Sequence, residues 1–138
     1  MRQFLRCSIA LPTDGERTAR IQSGETGLPL ARILITSGPT RQYLDPVRYL
    51  TNASSGRMGA ALAEAALEAG HEVVVVSGPV DVSYPSAAQV MPVISTDEML
   101  KACEKLFPGC DGLIGAAAPC DYRPIGVARH KLSKTGHP

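Results

Sequence analysis

The residues of this chain best suited to chemistry lie in the run Ser54-Ser55-Gly56-Arg57-Met58-Gly59, just before an Ala/Leu/Glu-rich stretch over 60–69. Alanine, leucine and glutamate favour helix, so the run reads as a helix entrance. There, unbonded backbone N–H groups and the positive end of the helix dipole face the preceding loop. That arrangement suits a phosphate. Gly56 and Gly59 would let such a group come close to the backbone, and Arg57 would add charge unless it simply faces solvent. The plainer reading is an ordinary helix packed tightly on a sheet, with Ser54 or Ser55 as its cap and Gly70 ending it.

Better-known nucleotide signatures are missing. A dinucleotide site needs G-x-G-x-x-G after the first strand and an acid near the end of the second. Here only Gly38 lies at the first turn, and the second strand ends Val76-Ser77-Gly78-Pro79. A Walker A pattern is also absent, which disfavours a Rossmann oxidoreductase or a P-loop protein. Cys7, Cys103, Cys110 and Cys120 form no CxxC pair and no zinc spacing, so no metal ligands are assigned.

The elements that must position these residues alternate strand and helix. Ile33-Leu34-Ile35-Thr36-Ser37 is a short β-branched run suited to a buried parallel strand. Gly38-Pro39-Thr40 ends it, and a long loop follows through Asp45-Pro46 to Asn52. The helix over 60–69 leads to a second buried strand over 73–77. A third strand is expected over 89–94, where Pro92 marks an edge or an early stop. Ser95 and Glu98 have capping-box spacing and open a helix to about Phe107, and 112–117 forms a fourth strand. This order predicts a Rossmann-like three-layer α/β sandwich with a mostly parallel sheet. Ligands would then meet the loops beyond the strands' carboxyl ends, over 38–59, 77–85 and 118–131.

Composition narrows the class. The 138 residues are 44% hydrophobic and 20% charged with net charge +1, as in a globular protein. No apolar run approaches the roughly 20 residues of a membrane span, and balanced charge argues against a nucleic-acid or membrane-surface binder. The N-terminus lacks a signal-peptide core, so a cytoplasmic setting is expected. Residues 1–31 lack periodicity and are expected to be a flexible extension, leaving 32–138 as the domain. The charge is graded: an acidic body over 33–122 precedes a basic end in which Arg123, Arg129, Lys131 and Lys134 meet no acid.

Several runs together resemble one family. They are Ile33 to Arg41, Leu44-Asp45-Pro46-Val47-Arg48-Tyr49-Leu50-Thr51-Asn52, Ser54 to Gly59 and Val76-Ser77-Gly78-Pro79-Val80. Ala116-Ala117-Ala118-Pro119-Cys120-Asp121-Tyr122-Arg123-Pro124 and Lys131 continue them in the same order. The match, over about residues 32–134, resembles phosphopantothenate–cysteine ligase, the phosphopantothenoylcysteine synthetase of coenzyme A biosynthesis. The resemblance implies that CTP or ATP, accompanied by Mg²⁺, activates the carboxylate of 4′-phosphopantothenate as an acyl-nucleotidylate. The amine of cysteine then attacks to form the amide. It also implies a homodimer for the intact family domain. That domain continues past the lysine, so this chain reads as its N-terminal part, incomplete at the C-terminus. The alternative is a non-catalytic nucleotide-binding fragment of the same fold.

By the same resemblance, Asn52 and Lys131 are the catalytic residues. Asn52 would hold the acyl-nucleotidylate, and Lys131, in a mobile flap, would stabilise charge around the α-phosphate. Ser133 stands where the flap motif usually has another lysine. Nucleotide-binding residues are Ser54, Ser55, Gly56, Gly59, Gly115, Ala116, Ala117, Asp121 and Lys131. A plainer role for Asp121 is pairing with Arg123 or Arg129. Pro119-Cys120 replaces the more usual Val-Ala, and Cys120 reads as a small buried residue. Asp45 is expected to pair with an arginine while Pro46 shapes the loop. Neither Arg41 nor Arg48 is assigned to a substrate phosphate.

Overall fold

A computed structural model describes residues 9–10, by backbone alone, and residues 30–133. In chain order the strands are β1 (Ile9–Ala10), β2 (Arg32–Pro39), β3 (Arg41–Tyr43), β4 (Tyr49–Thr51), β5 (Glu72–Ser77), β6 (Gln89–Pro92) and β7 (Gly112–Ala118). Helix α1 (Arg57–Glu68) joins β4 to β5. Helix α2 (Thr96–Leu106), extended by a 3₁₀ turn at Phe107–Gly109, joins β6 to β7.

The valine run of β5 and the Ile/Leu run of β2 are buried because helices cover both faces of their sheet. Side chains alternate across a strand, which splits the core in two. Leu34, Val74 and Val76 pack with Val93, Met99 and Cys110 on the α2 side. Ile35, Val73 and Val75 pack with Ala63 of α1 on the other. The expected three-layer α/β sandwich is therefore the observed architecture.

The main sheet has the order β1-β7-β2-β5-β6. Strands β7, β2, β5 and β6 are mutually parallel. The chain steps outward from β2 to β5 and β6, then crosses back through α2 to place β7 on the other side of β2. The strand order thus reverses between β2 and β7, and their ends are in register, with Pro39 opposite Ala118. A crevice for a ligand opens at such a reversal.

The helix ends show how much of this is local. Ser95 caps α2, its side chain accepting from the Glu98 N–H at 3.2 Å, and Glu98 Oε2 accepts from the Ile94 N–H at 2.8 Å. Gly70 ends α1 at φ 87°, where the Gly70 N–H donates to Leu67 O and the His71 N–H to Ala66 O. That paired closure is a Schellman motif, and its left-handed residue favours glycine. The expected third strand is shorter than 89–94: it stops at Pro92, on the sheet edge, where a missing N–H does least harm.

Two expectations are corrected. The segment predicted as a long loop contains the antiparallel β3–β4 hairpin, with Arg41 opposite Thr51 and Tyr43 opposite Tyr49. Residues 1–31, expected to be a flexible extension, contribute the two-residue strand β1, which pairs antiparallel with Ile114 and Leu113 of β7. This pairing covers backbone groups that β7 would otherwise present as an open edge. Residues 1–8 and 11–29 of that expected extension, together with 134–138, lie outside the described residues.

Candidate active site at the strand-order reversal

At the strand-order reversal the β3–β4 hairpin is tied to the end of β7 through Asn52. Asn52 follows β4 directly, and its Nδ2 donates to Pro119 O at 2.7 Å and to Ala118 O at 3.4 Å. Both bonds use the amide nitrogen, so the Oδ1 acceptor is left for another donor. Asn52 also bends its own loop, because its carbonyl accepts from the Ser54 N–H at 2.9 Å.

Threonines hold the facing loop. Thr40, fully buried, accepts from the Cys120 N–H at 2.7 Å and shares a 2.7 Å hydroxyl bond with Thr96. Thr96 in turn donates to Cys120 O at 3.2 Å, so both backbone groups of Cys120 are bonded. Cys120 itself is buried, as expected, with its Sγ 3.4 Å from Tyr122 O. The Thr51 hydroxyl closes the arrangement by donating to Thr40 O. These bonds fix the ends of β2, β4 and β7 against one another, and rigid placement of this kind is what a positioning site requires.

The helix entrance departs from the expected cap. Neither Ser54 nor Ser55 caps α1: the N-cap is Gly56, in the left-handed region at φ 76°, with no side-chain cap bond. The Gly56 carbonyl accepts both from Ala60 N–H and from the buried Ser37 hydroxyl, while the first-turn N–H groups have no side-chain cap. The two glycines are explained by packing. A Cβ on Gly56 would press on Val80 and Val82, and one on Gly59 would overlap the Ser37 side chain. Ser54 is half-buried and Ser55 exposed at this entrance.

Gly115, Ala116 and Ala117 lie on β7 opposite Thr36, Ser37 and Gly38, so three of the predicted residues sit in the last part of β7 at the strand-order reversal. Asp121 is exposed just beyond it. Of the two arginines suggested for it, Arg123 bonds Asp97 instead, at 2.8 Å. Among the described residues no group of three or more His, Cys, Asp or Glu is placed to hold a metal ion.

Lys131 is exposed, and its segment returns to the hairpin turn. Leu132 N–H donates to Asp45 Oδ2 at 3.1 Å, and Arg48 Nη2 donates to Leu132 O at 2.7 Å. Asp45 pairs with Arg48 as expected, at 2.7 Å. Burial of Asp45 opposes its ionisation, but N–H groups of Val47, Leu132 and Arg48 and the Arg48 guanidinium outweigh it. The carboxyl is held well below the usual carboxylate range. Arg41 stacks on the Tyr49 ring at 4.5 Å.

A separate cleft of about 540 Å³ lies between β3, the start of α2 and residues 123–127. None of the predicted site residues lines it. What sequence reasoning missed was the hairpin and the threonine set. Asp45-Pro46 at a turn start and the flanking tyrosines were the available signals.

Fold and site together define a Rossmann-like α/β domain in which polar groups of the hairpin and of the β7 end meet at the strand-order reversal. Residues 28–138 match the family described as the DNA/pantothenate metabolism flavoprotein C-terminal domain, and the chain belongs to that family. It is 50% identical over 103 residues to the coenzyme A biosynthesis bifunctional protein CoaBC of Vibrio parahaemolyticus, covering 75% of this chain and 26% of that protein. It is 43% identical over 113 residues to CoaBC of Bacillus subtilis, covering 80% and 28%. A crystal structure of the C-terminal domain of a CoaBC superimposes with TM-score 0.68 at 46% identity, covering 72% of this chain and 50% of that one. The chain thus spans about a quarter of these curated relatives. No helix among the described residues is long and apolar enough to cross a membrane.

Proposed function

We propose that this chain carries the reaction crevice of a ligase that joins 4′-phosphopantothenate to cysteine through an acyl-nucleotidylate formed from CTP or ATP. The observation that carries the reading is the Asn52 amide, bonded to Pro119 O at the reversal between β2 and β7. Family membership supports the same reading, because the relatives are named for coenzyme A biosynthesis.

In this reading the crevice receives the nucleotide beside the small residues Gly115, Ala116 and Ala117, with Asp121 at its rim toward the ribose. The N–H groups at the start of α1, behind Ser54 and Ser55, face phosphate oxygens. Lys131 balances negative charge that builds up around the α-phosphate as pyrophosphate leaves. Asn52, anchored through Nδ2, uses Oδ1 to orient the activated carbonyl's neighbourhood for the incoming amine. Mg²⁺ would supply charge neutralisation on the triphosphate. The described residues assemble no protein cage for it, so its ligands would be chiefly phosphate oxygens and water.

The test is to mix the chain with 4′-phosphopantothenate, cysteine, Mg²⁺ and CTP or ATP, and to follow pyrophosphate and amide product. Release of both supports the ligase. Because the chain spans half of the crystallised domain, a second reading is a nucleotide-binding fragment without turnover. Calorimetric binding of CTP or ATP with no pyrophosphate supports that one, and binding of neither nucleotide overturns both.

A further inference from the structure

Asp45 does more than shape a turn. Its Oδ1 accepts from the Val47 and Arg48 N–H groups, each at 2.8 Å, and those two bonds suffice for an aspartate-initiated turn. Its Oδ2 faces the other way. There it accepts from Arg48 Nε and Nη2 and from the Leu132 N–H, 87 residues away in sequence. The same guanidinium reaches Leu132 O, so the backbone of one residue is held through both its N–H and its C=O. A third tie joins Ala128 N–H to Leu44 O at 2.9 Å.

Apolar burial does not explain this docking. Arg129, His130, Lys131 and Ser133 are exposed, and Leu132 keeps 49% of its surface in solvent. Attachment rests on polar bonds to a carboxylate that is itself fully buried. Hydrogen bonds to charged groups are the stronger kind, and Leu132 is the residue next to Lys131.

We propose that Asp45 and Arg48 form a polar latch that grips the Leu132 backbone on both sides of its Cα and thereby positions Lys131. The latch itself is read from the geometry, while its catalytic consequence rests on the role proposed above for Lys131. Asp45 and Arg48 are positioning residues, acting through the backbone beside the lysine. The hairpin then serves both ends of the site, placing Asn52 against β7 and the Lys131 segment against its own turn.

Arg48→Met removes the guanidinium but leaves the Asp45 turn bonds, and Arg48→Lys restores a cation. Hydrogen exchange at the Leu132 amide reads the latch directly, with Lys131 and Ser133 amides as neighbours for comparison. The expected result is a protected Leu132 amide whose exchange rises about ten-fold in Arg48→Met, the effect of one lost charged bond, and falls back in part in Arg48→Lys. Pyrophosphate release should drop about ten-fold in kcat in Arg48→Met with KM for the nucleotide little changed. Exchange at Leu132 that is unprotected, or unmoved by Arg48→Met, overturns the latch. Faster exchange with unchanged kcat overturns the positioning of Lys131. If the unaltered chain binds no triphosphate and releases no pyrophosphate, the ligase reading falls, and Leu132 exchange alone still decides whether the latch exists.

Discussion

Gly59, in the first turn of α1, lies against the side chain of Ser37 at the end of β2, and no Cβ fits between them. The contact lets α1 sit close enough for Ser37 to donate to Gly56 O at 3.2 Å, and the same hydroxyl accepts from Tyr84 of the β5–β6 loop at 2.8 Å. Gly59→Ala should therefore destabilise the fold by about 1–3 kcal/mol, the usual cost of overfilling a packed contact. Urea unfolding measures it. In the Gly59→Ala, Ser37→Gly pair the loss should be smaller than the sum of the single losses. A fully additive pair would show that the two residues do not compete for space.

Gly70 tests backbone conformation without crowding. Its φ of 87° lies in the left-handed region, and the nearest atom to an added Cβ is Leu30 Cδ2 at 3.9 Å. Gly70→Ala should cost about 1–2 kcal/mol from the backbone alone. Asparagine tolerates this region better, so Gly70→Asn should lose less. Thermal unfolding of the two variants checks the order.

The Asp45 carboxyl predicts how stability follows pH. Its folded-state value is depressed, so its contribution is complete above the unfolded value of about 3.9. It is lost progressively as pH falls below that point toward the depressed folded value. The stability gap between the unaltered chain and Asp45→Asn should be constant from pH 7 to about 5 and narrow on further acidification. A gap that widened in acid would contradict the bonding described for Asp45.

Asn52→Asp removes the donor that reaches Pro119 O and sets a carboxylate against that carbonyl. In assays that separate the half-reactions, amide formation should fall by about 10²–10³, the scale of losing one preorganised polar contact at the reacting centre, because Oδ1 is no longer held in place. Pyrophosphate release should fall less. Equal loss in both steps would assign Asn52 to holding the loop alone.

Lys131→Ala should have the opposite profile, with pyrophosphate release reduced by about 10²–10³. Lys131→Arg, which keeps the charge, should retain more activity. Single-turnover measurements of pyrophosphate against amide product separate the two residues.

Local sequence determined much of this protein. Val73-Val74-Val75-Val76 suits no setting better than a strand covered on both faces, and it became the β5 interior. Ser95 and Glu98 cap α2 because their bonds span only a few residues, and Gly70 ends α1 because its neighbours demand a left-handed backbone. The alternation of strand and helix was enough to imply a parallel sheet, and the ordered motifs were enough to imply a family.

Tertiary structure decided where the same residues exert their effects. Ser54 and Ser55 have cap-forming side chains, yet Gly56 became the N-cap because α1 is pressed onto Ser37. Three-residue strands carry too little periodicity to be read, and the β3–β4 hairpin exists through a ladder and a turn rather than a pattern. The bonds from Asn52 to Pro119 and from Leu132 to Asp45 cross 67 and 87 residues. No local propensity encodes such contacts, because they depend on the β7 crossover and the returning 122–133 segment meeting one hairpin in space.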